Sequence, residues 1–570
     1  MERLRTMLIL GALALAACAP SAPTSTPAAP PASGVAPAAP APSRTLRIAV
    51  RVEPSSLARN PPREAQTTLD TLRRLFNAEL AIIDDTGAAR PYLAAELPQL
   101  NTDTWRVLPD GRMETTYRLR PNLTWHDGAP LTAADFAFGW RVVAHPPLGQ
   151  ANLIPQRLME EVSTPDPQTV LIRWTQPFPD ADSLNLLFSP LPTHLLQASF
   201  EQQEMDAFAN HSYWSTTFVG VGPYRLTRWE AGAFIEGEAF PGFVLGRPKI
   251  DRVRLTFAPD PNTALTRLFA NDVDVLADSA IKSQQVPSLE QDWIGRGEGR
   301  TVSQPASYRA AVFQLRPDQV APRTLLDVRV RKALAHAMDK QAVNEAIYRG
   351  AGILATSPFQ PFGRYAHATE PAVVQYPHDV RRAEQLFNEG GYTRGTDGNY
   401  THPTLGRFAL ELRTNASDQF ETEMHVVADS WRKAGLEVTE AITPPALVQD
   451  GQTRATFSGV YIYGGGNWES ALRGYGSAFV PSAENRWTGG NRGGWRNSDW
   501  DRLLVAYDTT LDHTQRGQVA AQLARLYSDE LPAIAMEFDP DVNAYVKNLT
   551  GPRGGPREAT VWNIHEWELR

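Results

Sequence analysis

The stretch from Phe218 to Leu276 constrains the fold more than any other part of this 570-residue chain. It opens Phe218-Val-Gly-Val-Gly222-Pro223-Tyr-Arg-Leu-Thr-Arg-Trp229, passes through Arg247-Pro248-Lys-Ile-Asp251, and closes Asp260-Pro-Asn-Thr-Ala-Leu-Thr-Arg-Leu-Phe-Ala-Asn-Asp-Val-Asp274-Val-Leu276. Gly220 and Gly222 ahead of Pro223 suit a tight turn, because glycine accepts positive φ and proline fixes the next φ. Tyr224 to Trp229 and Ile250 to Leu255 alternate apolar and polar residues, as half-buried strands do. Leu265, Leu268 and Phe269 share one face of a short helix, and Asn271 stands where a left-handed C-terminal cap belongs. Two strands and a crossover helix leading to Val273 to Leu276 predict a mixed α/β core.

The length exceeds one simple core, so two or more lobes are expected. The 55 basic residues against 63 acidic ones, a net charge of −8, argue against a nucleic-acid grip, which needs a basic face. Fourteen tryptophans and sixteen tyrosines supply both core packing and material for a pocket.

Met7 to Ala17 is an apolar run too short for a comfortable membrane span. It ends Leu15-Ala16-Ala17-Cys18, which resembles the bacterial lipobox, and Cys18 is the only cysteine in the sequence. That resemblance implies cleavage before Cys18 and lipidation of its thiol; a buried thiol or a nucleophile is the competing reading. Ala19 to Ser43 holds eight prolines in 25 residues and nothing with which to build a core. It reads as a tether reaching up to roughly 80 Å at ~3.1 Å per residue.

Thr45 to Val52 alternates as the first core strand, and Glu53-Pro-Ser-Ser-Leu57 follows where open α/β sheets place ligand loops. Ser55 and Ser56 are therefore candidates, with a plain turn as the alternative. Asp110-Gly111 and Asp127-Gly128 mark turns, and Thr132 caps a helix whose Phe136 and Trp140 face inward. His126 beside Asp127 lacks the converging ligands a metal needs and reads as part of a structural turn. Asp327 and Asp339 cap successive helices, the second ending at Gly350, and Arg329, Arg331 and Lys332 read as a solvated face. Phe408 to Leu412, a helix bearing Phe420, Met424, Val427 and Trp431, and a strand at Leu436 and Val438 form a βαβ unit with parallel strands.

Taken in order, these segments resemble the family 5 extracytoplasmic solute-binding proteins, the dipeptide- and oligopeptide-binding class of ABC importers. A glycine-glycine-proline-tyrosine turn, a Pro-x-x-Asp strand and a Leu-x-x-Gly-x-x-Asp helix end follow one another in that class. Further matches lie at Arg90 to Leu97, Leu108 to Trp140, Ser189 to His194, Leu326 to Lys340, Asp379 to Gly391 and Asn491 to Asp501. The resemblance covers nearly all of Arg44 to Arg570. It implies an α/β, two-lobed, periplasmic-binding-protein-like fold (type II, cluster C) with an extra inserted subdomain. The expected layout is a signal peptide over 1–17 and a lipidated cysteine with tether over 18–43. Lobe one then takes 44–75, 212–304 and 542–570, with the insert at 76–211, and lobe two takes 305–541. The implied role is a lipid-anchored extracytoplasmic receptor, monomeric and without cofactor, metal or nucleic acid, handing a small-molecule or peptide ligand to a membrane ABC permease.

A two-lobed receptor binds by closing about a hinge. The segment Thr456-Phe-Ser-Gly-Val-Tyr461-Ile-Tyr463-Gly464-Gly-Gly-Asn467-Trp468-Glu469 delivers two aromatics and then glycines that admit close backbone approach; a flexible surface loop is the alternative reading. Peptide receptors of the class carry an aspartate here for the peptide's ammonium, and alignment places Gly464 at that position, with Glu469 as a substitute only if the loop rearranges. Tyr461, Tyr463, Asn467 and Trp468 are the leading ligand candidates and Tyr308 a further one. A secreted lipoprotein hydrolase is the rival class, although no Gly-x-Ser-x-Gly, His-Glu-x-x-His or Gly-Lys-Ser/Thr motif is found. A sensory receptor without a permease has the same sequence signature.

Overall fold

The computed structural model describes residues 44–59, 61–62, 70–148, 154–184, 188–465, 468–555 and 561–570. The expected leader, Cys18 and the tether lie outside the described residues.

Two lobes are strung on one eleven-stranded sheet. Ten of its strands, in chain order, are β1 (Thr45–Val50), β2 (Tyr224–Glu230), β3 (Phe234–Ala239), β4 (Arg252–Phe257), β5 (Val275–Ala277), β6 (Gly299–Phe313), β7 (Ala409–Asn415), β8 (Glu437–Thr443), β9 (Val460–Gly465) and β10 (Ala533–Val546). They lie in the order β8-β7-β9-β6-β10-β5-β1-β4-β3-β2, with Ile353–Leu354 added beside β10.

In lobe one β1 runs parallel to β4 and β5, as right-handed crossovers through a helix require. That helix, α1 (Pro261–Phe269), is capped by Asp260 and buries Ala264, Leu265 and Leu268. Asn271 takes the expected left-handed conformation, with φ of 57°.

The turn before β2 departs from expectation. Neither Gly220 nor Gly222 has positive φ. They are glycines because backbone crosses them: a Cβ on Gly220 would stand 2.0 Å from the carbonyl oxygen of Phe76, and one on Gly222 2.3 Å from its carbonyl carbon. Gly222→Ala is expected to cost ~1–3 kcal/mol through overpacking against an unyielding backbone, checked by chemical denaturation.

His126 pins the same turn. Its Nδ1 accepts from the Gly220 N–H at 3.2 Å, so the proton sits on Nε2, which donates to the Gly222 carbonyl at 3.0 Å. The partner of Asp127 is instead His194, at 2.8 Å. Burial pushes the His126 imidazole down to about 4. The unfolded chain, with an ordinary value near 6.5, therefore binds the extra proton first as pH falls. Stability is expected to drop by roughly 3 kcal/mol between about pH 6.5 and 4, relative to His126→Gln over the same range.

The inserted segment forms its own four-stranded sheet, ordered Trp105–Val107, Met113–Arg118, Thr169–Trp174 and Met159–Asp166. Its helix Ala133–Val143 starts at a capping box between Thr132 and Asp135. Phe136 enters the insert's own core while Phe138 enters that of lobe one, so this helix rivets the two together.

In lobe two, α2 (Val328–Ala337) and α3 (Lys340–Tyr348) start at Asp327 and Asp339 as expected. Arg331 is not on a solvated face. It is buried, and its guanidinium donates to the carbonyls of Leu325, Leu326, Glu530 and Leu531. The sequence reads as a charge run, but the fold turns its middle member inward to satisfy backbone carbonyls of two chain segments. Strands β7 and β8 are parallel and joined by α4 (Asp418–Lys433). The lobe-two sheet is covered on both faces: Ala311, Phe313, Val460 and Ile462 meet α4, whereas Tyr308, Val312 and Tyr461 meet the side of α5 (His513–Glu530).

Strands β6 and β10 cross between the lobes as one antiparallel ribbon. Gly299–Pro305 pairs with residues 546–540, beside β5 of lobe one, and Tyr308–Val312 pairs with residues 538–533, beside β9 of lobe two. The register breaks between Pro305 and Tyr308 and again between Arg309 and Ala310. Such bulges sharpen local twist and bend the ribbon between the lobes.

Candidate functional site

Residues 308–310 and 463–464 meet just past the ribbon's first register break, across the pairs Tyr308 to Gly465 and Ala310 to Tyr463. Alternation puts Tyr308, Ala310 and Tyr463 on the same sheet face. There they border a cavity of about 270 Å³. Arg454, Tyr475 and Arg492 close its sides, with the backbones of Gly464, Gly474 and Gly490.

The floor is a chain of buried tyrosines. Tyr308 and Tyr475 both reach the hydroxyl of Tyr527, at 2.8 and 3.4 Å. Burial pushes all three phenols well above their ordinary range, so they stay neutral. Burial also pushes Tyr463 up to about 12. The Arg492 guanidinium carbon stands 4.1 Å from the centre of the Tyr463 ring, a cation–π contact.

Of the residues singled out from sequence, Tyr308, Tyr463 and Gly464 come together here. Tyr461 lies one layer behind, buried, its hydroxyl donating to Asn415 and its ring 5.4 Å from that of Tyr463. Ser55 and Ser56 are not among the lining residues; Ser56 is buried and its Oγ accepts from the Ala58 N–H at 3.1 Å, a local turn bond. Asn467, and the side chains of Trp468 and Glu469, lie outside the described residues; the backbone of Trp468 and Glu469 begins the helix Trp468–Arg473.

Gly464 has a specific neighbour on the opposite sheet face. A Cβ there would stand 2.8 Å from Nη1 of Arg309, whose guanidinium occupies the space a side chain would need. Arg309 is held by Glu423 of α4 and lies over the Phe420 ring at 3.9 Å.

Sequence reasoning missed Arg454, Tyr475 and Arg492. Arg492 belongs to the Asn491–Asp501 signature, so it was within reach. Arg454 sits on a five-residue helix, Gly451–Ala455, with no pattern to distinguish it from a solvated charge. No group of three or more His, Cys, Asp or Glu residues suited to a metal ion occurs among the described residues, and no helix there is long and apolar enough to cross a membrane.

Two α/β lobes joined by a crossing ribbon, with a polar-rimmed cavity beside its register breaks, define a binding-protein architecture. Residues 97–485 match the bacterial extracellular solute-binding proteins, family 5, and the chain belongs to that family, a solute-binding rather than an enzyme family. A provisionally named ABC transporter peptide-binding protein of Brucella ovis is 27% identical over 293 residues, 51% of each chain, so the match spans about half the length of that relative. The oligopeptide-binding protein AppA of Bacillus subtilis is 22% identical over 81% of both chains. Among solved structures, HbpA2 from Haemophilus parasuis superposes with a TM-score of 0.73 at 19% identity, over 92% of this chain and all of that one. NikZ from Campylobacter jejuni, in complex with Ni(L-His), superposes with a TM-score of 0.66 at 21% identity, over 93% and 100%. These likenesses establish the two-lobed fold.

Proposed function

We propose that this protein is the extracytoplasmic substrate-binding component of an ABC import system. It captures a small solute as its lobes close about the β6–β10 ribbon and passes it unchanged to a membrane permease. Lipid on Cys18 and the proline-rich tether hold it at the membrane as a monomer. Lobe one takes 44–75, 212–304 and 542–570, the insert 76–211 and lobe two 305–541. The observation that carries this reading is the cavity of about 270 Å³ on lobe two, which begins at Tyr308 and Ala310 where the ribbon's register breaks. Family membership supports the reading, as do relatives named for binding peptides and nickel.

Tyr308 and Tyr463 serve as ligand contacts in this scheme, with Gly464 supplying backbone and Tyr461 backing Tyr463. Asn467 and Trp468 follow closely in the chain and are assigned to the same site, with Glu469 joining them only if the loop rearranges, while Ser55 and Ser56 present the opposing loop of lobe one. Native mass spectrometry of protein purified without refolding is expected to find one small molecule per chain, lost in Tyr463→Ala. Consumption of that molecule by the purified protein would replace reception with catalysis.

A further inference from the structure

The cavity's charge is opposite in sign to that of the chain. Overall the sequence is acidic, with a net charge of −8. Yet the charged residues lining the cavity, among the described residues, are two arginines, Arg454 and Arg492. Both are half-buried, and neither has a carboxylate partner among the described residues. Two other half-buried guanidiniums of the chain do meet a carboxylate: Arg473 meets Asp508 at 3.1 Å and Arg413 meets Glu411 at 3.0 Å. Partial burial of a cation without a counter-charge is unfavourable and is relieved when an anion arrives.

The two arginines are also held in place. Arg316 donates from one nitrogen, Nη1, to the carbonyl of Ala455 at 2.7 Å and to that of Arg492 itself at 2.6 Å. Gln314 donates to the carbonyls of Ala455 and Phe457 at 3.1 and 2.7 Å. The backbone segments bearing Arg454 and Arg492 are thus stapled to one guanidinium at the end of β6. Stacking on Tyr463 orients Arg492 further. Preorganised forks of this kind suit carboxylate recognition, since little side-chain freedom is lost on binding. The remaining walls, Tyr308, Tyr463 and Tyr475, are aromatic, and the buried hydroxyls of Tyr308 and Tyr475 are both engaged by that of Tyr527. They suit an apolar or planar body. The volume lies near the lower end of the ~300–1,000 Å³ range of ligand pockets.

We propose that the cargo is a small carboxylate with an apolar or planar body, its charge held between Arg454 and Arg492 and its body against the tyrosines. This deepens the proposed receptor function and rests on it.

The test uses three matched sets of small probes on the whole folded protein: aromatic and aliphatic carboxylic acids, their primary amides, and the corresponding amines. Thermal shift ranks them and calorimetry measures the best. Acids are expected to raise the melting temperature where their amides and amines do not, with affinity falling as salt rises. Arg454→Ala and Arg492→Ala are each expected to weaken the best acid by ~10-fold or more, and Arg454→Lys to retain part of that binding. Amides or amines binding as well as acids, or an acid bound equally by the alanine variants, would overturn the carboxylate assignment while leaving solute reception standing. Silence across all three sets, with no molecule retained in native mass spectra, would count against reception as well.

Discussion

Replacing Glu423 with alanine is expected to lower the unfolding free energy by ~3–5 kcal/mol, among the largest effects available to one substitution in this chain. Glu423 and Arg309 are both fully buried, and the guanidinium grips the carboxylate through two nitrogens, Nε lying 3.1 Å from Oε1. Gln419 donates to the same carboxylate at 3.1 Å and also to Asp539 at 2.9 Å, where Tyr348 converges. Glu537 stands nearby, and burial pushes its carboxyl well above the ordinary range; burial raises that of Glu423 too, opposed by the charge and hydrogen bond of Arg309. Alanine at 423 strips the interior guanidinium of the carboxylate bonded to it, whereas Glu423→Gln keeps an acceptor and is expected to cost less. Urea midpoints of the two variants measure the difference; an alanine variant as stable as the parent would show that water reaches Arg309.

The second large effect concerns closure. Asp180 and Asp182, on the insert, face Arg364, His513 and Arg516 of lobe two. Arg516 is buried and donates to Asp180 at 2.7 Å, while His513 meets Asp182 at 3.1 Å and the Tyr365 hydroxyl at 2.8 Å. Arg516 and Arg364 hold the Asp180 carboxyl below its ordinary range against the opposing effect of burial. Because its two halves come from segments more than three hundred residues apart, this cluster is expected to act as a clasp between them. Changing both aspartates to asparagine is expected to shift the open-to-closed ratio by on the order of a hundredfold, the equivalent of ~3 kcal/mol for a broken buried charge pair. The single native cysteine, Cys18, makes labelling simple once it is replaced. Dyes at Val107→Cys on the insert and Val505→Cys on lobe two, both exposed positions, report the separation by energy transfer. Unchanged transfer in the double variant, with an unchanged radius of gyration, would mean the clasp does not set the lobe equilibrium.

What the sequence made visible follows the reach of each signal. Local signals held: Asp327 and Asp339 cap helices by accepting from backbone N–H groups where expected. The alternation of Leu410 and Leu412 and the helix face of Met424, Val427 and Trp431 became a parallel βαβ unit. Signals needing a partner distant in the chain were misread or silent. Gly220 and Gly222 looked like turn glycines because the Phe76 backbone that crosses them is more than a hundred residues earlier. Arg331 looked solvated because its acceptors at residues 530 and 531 arrive from another helix end. Tyr463 was legible from its place before a glycine run, but Arg454 was not, since one arginine on a capped helix turn carries no pattern. Neither was the clasp, whose halves lie more than three hundred residues apart.

The β6–β10 ribbon also bears on the order in which the chain can finish folding. The outer edge of β5 is completed by residues 544 and 545, and β6 finds its partner in the same late segment. During synthesis lobe one is therefore left with an unmatched edge until almost the last residues emerge, and premature compaction gains little. A sheet that locks only when this late segment arrives keeps the preceding chain pliable until that segment has been made.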